Sequence, residues 1–79
     1  SRKQAYARMV DMVEAAVGQG KVKVAYVHAA AREEAEAIRE RLEARLNVVE
    51  SLVAELTPVL GVHTGPGTAG VCYYPVQDA

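Results

Sequence analysis

Apolar residues recur at steps of three and four across residues 3–17: Tyr6, Met9, Val10, Val13, Ala16 and Val17 form one stripe, with Gln4, Arg8, Asp11 and Glu14 on the other faces. This predicts a first helix. Ser1 is positioned to cap it, and Gly18-Gln19-Gly20 ends it, because glycine tolerates the left-handed turn that closes helices. Residues 21–28 then alternate as Lys21-Val22-Lys23-Val24 before turning fully apolar through Val27. Such a run reads as a strand buried on both faces.

Residues 31–46 carry the clearest helical signal. Ala35, Ile38, Leu42 and Leu46 make the buried line, opposed by a charge ladder of Arg32, Glu36, Arg39 and Glu43. Glu33 and Glu34 fall in the first turn, where they favour the helix dipole. The charge run reads as a solvated face. Asn47 breaks the helix, and Val48, Val49, Leu52 and Val53 predict a second strand over 48–55. A strand, helix, strand unit crosses over right-handed and makes the two strands parallel neighbours. Thr57 as cap and Pro58 at the first helical position predict one short helical turn through Val62. Residues 64–70 are a loop, and Val71-Cys72-Tyr73-Tyr74 a last strand ended by Pro75. The expected fold class is α/β in the order α-β-α-β-(short α)-β, a single domain over residues 1–79 with a three-stranded sheet. An open sheet edge would favour self-association as a homodimer.

Composition narrows the classes. Seventy-nine residues with no Trp or Phe give a thin core built from aliphatic side chains. Nine basic against ten acidic residues imply no basic face, so nucleic acid is not an expected partner. One cysteine, Cys72, excludes a disulfide-stapled scaffold, making a cytoplasmic location the default expectation. No apolar run reaches the ~20 residues that span a bilayer. Cys72 reads as a small core residue. Of Tyr73 and Tyr74, on opposite faces of a strand, one is expected to pack inward. His28 reads first as a structural residue bonding a loop carbonyl. The two histidines, His28 and His63, lack zinc-like ligand spacing, so no metal or other cofactor is expected.

Candidate chemistry concentrates late in the chain. Three of six glycines fall in residues 65–70. Such a loop lets a ligand approach the main chain, and its successive N–H groups form an anion-binding nest. His63, Thr64 and Thr68 add side-chain donors suited to a carboxylate or phosphate. The same composition also fits a plain tight connection between elements. No Lys follows the glycines as in a Walker loop, and no strand and helix flank them as in a dinucleotide fingerprint. No acid and nucleophile accompany His63, so a hydrolase is not expected.

Three segments in order resemble the C-terminal part of the DegV family. Ser1-Arg2-Lys3-Gln4-Ala5 resembles the basic start of a helix there. Lys23-Val24-Ala25-Tyr26-Val27-His28-Ala29 resembles a strand ending in His-Ala. The stretch from Glu55 to Gly67, with Leu56-Thr57-Pro58-Val59-Leu60-Gly61-Val62-His63-Thr64-Gly65-Pro66-Gly67, resembles the family's most distinctive motif. The resemblance implies a non-enzymatic, cytoplasmic bacterial protein that binds one long-chain fatty acid between two α/β domains. Some members present the acyl carboxylate to a fatty acid kinase for phosphorylation. It further implies that His63, Thr64, Gly65, Pro66 and Gly67 face the lipid head group, with Arg2 approaching the same cleft. Full members are considerably longer, and their N-terminal domain supplies hydroxyl ligands, so this chain is expected to be a fragment of a two-domain protein. The competing expectation is an oligomerisation or interaction domain without a ligand of its own.

Overall fold

A computed structural model describes residues 2–56 and 67–77. The order is α1 (Arg2–Val17), β1 (Val22–His28), α2 (Arg32–Glu43), β2 (Val48–Glu55) and β3 (Ala69–Pro75). The short turn predicted after Thr57 lies outside the described residues. The sheet order is β2-β1-β3, with β1 parallel to β2 and antiparallel to β3. The βαβ unit therefore forms as expected. β3 starts at Ala69, two residues earlier than the sequence suggests.

Both helices pack on one face of the sheet. Burial alternates along β1, with Val22, Val24, Tyr26 and His28 fully inside. From α2, Ala35, Ile38 and Leu42 are fully buried, joined by Leu46, and α1 adds Val10 and Val13. Fully burying a side chain of this size stabilises by about 1.5–3 kcal/mol. α2 stops at Glu43, short of the predicted 46. The N–H groups of Arg45 and Leu46 both turn back to the Leu42 carbonyl, so the last turn tightens while Leu46 stays in the core.

The opposite face of the sheet is open, which corrects the expectation that β1 is buried on both sides. Strand register places Lys23, Ala25 and Val27 there, flanked by Glu50, Leu52 and Ala54 from β2 and by Gly70, Cys72 and Tyr74 from β3. Leu52 is 55% exposed and Tyr74 58%. Cys72 is exposed, not a core residue, because its pairing with Ala25 puts it on this uncovered side. Tyr73 pairs with Val24 on the helix side yet remains 40% exposed on the edge strand, so neither tyrosine is fully packed. In α1, Met9 packs against the core, whereas Met12 is exposed.

Polar bonds fix the helices over the sheet. The Tyr26 hydroxyl donates to Glu43 Oε2 at 2.9 Å, and Arg39 Nε donates to the same oxygen at 3.2 Å. Desolvation, then the Glu43 bond and charge, pushes the Tyr26 phenol well above its ordinary value of 10.0. At the far end Arg45 reaches Asp11 at 2.9 Å and also bonds Glu14, tying α1 to the chain just beyond α2.

Two outcomes are expected. Ile38→Ala opens a cavity in the centre of the core and costs about 2–5 kcal/mol in urea unfolding, enough to unfold much of so small a domain. Tyr26→Phe costs about 0.5–1.5 kcal/mol at neutral pH. It also flattens the loss of stability at high pH. The unfolded chain releases the phenolic proton above the ordinary value while the folded chain holds it, so wild-type stability falls as pH rises past 10.0. Urea midpoints for both proteins between pH 7 and 11 check the sign.

Candidate functional site

Ligand sites in open α/β sheets gather beyond the carboxyl ends of parallel strands. Here that end holds the turn from β1 to α2, the return of the chain at Gly67, and the start of α1. His28, the last residue of β1, is buried, and its Nδ1 accepts the Ala31 N–H at 3.0 Å. An accepting Nδ1 puts the ring proton on Nε2. The imidazole thus serves the turn, as the structural reading expects, although its partner at Nδ1 is an N–H and not a carbonyl. The turn is tight: Ala30 adopts a positive φ of 51°.

That turn holds the returning chain by two main-chain bonds. The Gly67 N–H donates to the Ala29 carbonyl at 2.9 Å, and the Ala29 N–H to the Thr68 carbonyl at 2.8 Å. Gly67 has φ of 93°, a conformation that side chains with a Cβ rarely adopt. Its requirement is therefore a backbone one.

Arg2 comes to the same place from the other end of the chain. Its Nη1 donates to Glu34 Oε1 at 2.9 Å, and its Nη2 lies 4.0 Å from where a Cβ on Gly67 would stand. Arg2, Ala30, Ala31, Arg32, Glu33, Glu34 and Gly67 border a surface opening of about 390 Å³. Helix α2 begins at this opening with no side-chain cap. Its first N–H groups and dipole favour an anion, while Glu33 and Glu34 oppose one, balanced by Arg2 and Arg32.

Of the residues singled out from the sequence, Arg2 and Gly67 are thus brought together. His63, Thr64, Gly65 and Pro66 lie outside the described residues. Glu34 and the Ala29–Ala31 turn were not singled out as site residues. Glu34 carries only a generic first-turn acid signal, and nothing local ties it to a residue 32 positions away. Among the described residues no group of three or more His, Cys, Asp or Glu could hold a metal ion, and no helix is long and apolar enough to cross a membrane.

The geometry defines a two-layer α/β domain with a polar opening at the carboxyl end of its parallel strand pair. The DegV family model, described as an uncharacterised protein family, matches residues 1–76, and the chain belongs to the DegV family. A DegV domain-containing protein of Streptomyces coelicolor is 38% identical over 69 residues, covering 86% of this chain and 25% of that protein. Protein DegV of Bacillus subtilis is 32% identical over 74 residues, covering 92% of this chain and 26% of its own length. The chain spans about a quarter of the length of these curated relatives. A crystal structure of a DegV family protein of Corynebacterium glutamicum superposes with a TM-score of 0.83 at 28% identity, covering 100% of this chain and 30% of that one. A DegV lipid-binding protein of Thermotoga maritima shares the fold with a TM-score of 0.86 at 22% identity, over 100% of this chain and 28% of that one.

Gly67→Ala is expected to cost about 1–3 kcal/mol, because the alanine must hold a backbone conformation close to glycine-only. Equal unfolding midpoints for the two proteins would show that the turn relaxes freely.

Proposed function

We propose that this chain supplies the head-group end of a long-chain fatty acid site. The carboxylate is bound by Arg2 and by the loop residues His63, Thr64, Gly65 and Pro66, with Gly67 bordering the site through its backbone turn while its own N–H is held by the Ala29 carbonyl. The observation that carries this reading is the approach of the Arg2 guanidinium to Gly67, 65 residues apart in the sequence, beside the uncapped start of α2. A guanidinium suits a carboxylate by charge and by its fork of donors. Membership of the DegV family and the lipid-binding relative from Thermotoga maritima support the same ligand class.

On this reading the chain is one part of a longer two-domain protein, whose other domain completes the acyl tunnel. The bound lipid is presented to a fatty acid kinase, so the chain itself carries no catalytic group. A second reading, an interaction domain without its own ligand, is favoured by the uncovered sheet face around Leu52, Cys72 and Tyr74, with a shallow groove of about 220 Å³. Exposed apolar faces of this kind mark association surfaces.

Native mass spectrometry separates the two. The full-length wild-type protein is expected to carry one fatty acid, and His63→Ala to carry less. A wild-type protein without lipid, self-associated in light scattering, would favour the second reading. Equal occupancy in both proteins would remove His63 from the site.

A further inference from the structure

We infer that Glu34 is a positioning residue for Arg2, holding its guanidinium over the opening beside Gly67; this rests on the fatty-acid reading above. Arg2 is a long side chain on the first turn of α1, with 71% of its surface exposed. Left alone, it samples many rotamers, and a ligand must stop that motion on binding. Glu34 removes part of the cost beforehand. Its own side chain is only 27% exposed, on the first turn of a helix anchored in the core by Ala35 and Ile38. One amino group of Arg2 meets Glu34 Oε1 at 2.9 Å while the other lies toward Gly67, so the fork spans from the helix to the returning chain.

The alternative role of the same carboxylate is competition. Glu34 partly neutralises Arg2, and Glu33 adds a second acid at the opening, against Arg32. Geometry favours positioning. The ion pair occupies one end of a guanidinium that has five N–H donors, and Arg keeps its charge when paired. The stiffly held carboxylate sets direction, and the exposed pair adds little to stability.

The test is oleate affinity of the intact protein by titration calorimetry, in wild type, Arg2→Ala, Glu34→Ala, Glu34→Gln and the double variant Arg2→Ala/Glu34→Ala. Losing a charge-assisted bond to the ligand, Arg2→Ala is expected to weaken binding on the order of tenfold or more. Glu34→Ala is expected to weaken it by about three- to tenfold, the effect of releasing one rotamer-rich side chain. Glu34→Gln retains an acceptor oxygen at the same reach and falls between wild type and Glu34→Ala. In the Arg2→Ala background, removing Glu34 is expected to change nothing, because there is no guanidinium left to hold.

Each other outcome is informative. If Arg2→Ala binds oleate as wild type does, Arg2 has no head-group role and the inference falls with that reading. If Arg2→Ala weakens binding but Glu34→Ala leaves it unchanged or tightens it, Glu34 is idle or competes, and the inference alone fails. Equal weakening by Glu34→Ala in both backgrounds makes its role structural and overturns positioning.

Discussion

The seating of α2 on β1 is the constraint from which the rest of the domain follows. Ile38 and Leu42 lose all contact with water in the core they share with Tyr26, and the Tyr26 hydroxyl bonds Glu43, the last residue of the helix. Apolar burial supplies the energy, and the hydroxyl bond selects how far along the strand the helix sits. With that position fixed, the start of α2 stands over the carboxyl end of β1. His28 then accepts the Ala31 N–H, the turn closes, and Ala29 is placed to bond both Gly67 and Thr68.

This arrangement explains why polar chemistry collects at one end of so small a domain. The parallel pairing of β1 and β2 puts both carboxyl ends together, and the antiparallel β3 begins where they finish. Three chain segments distant in sequence meet there: the start of α1, the β1–α2 turn and the approach to β3. Arg2 and Glu34 bond across that junction, and Arg45 with Asp11 and Glu14 ties the same two regions at the opposite end. These exposed pairs contribute orientation, while stability resides in the apolar layer between helices and sheet.

The open sheet face leaves apolar side chains exposed among the described residues. Ala25, Val27, Leu52 and Tyr74 present apolar surface that no described residue covers. The relatives that share this fold are three to four times longer, since the chain spans only 30% and 28% of the two solved structures. The apolar run of β1 was a sound sign of a strand. It could not say which of its faces would be covered by residues of this chain.

Side-chain spacing, β-branched runs and the residues that break elements determined the two helices and three strands, and the handedness of a βαβ crossover determined the parallel pairing of β1 with β2, because these are local properties; the end of α2 and the start of β3 were not among them. The spacing also named the buried line of Ala35, Ile38, Leu42 and Leu46. The resemblance of three segments to a known family brought Arg2 and Gly67 forward as site residues. Tertiary structure decided the exposure of Cys72 and of the tyrosines on β3, which depends on what lies beyond the sheet. It alone placed Glu34 against Arg2, for a contact between side chains 32 positions apart leaves no periodic trace in either segment.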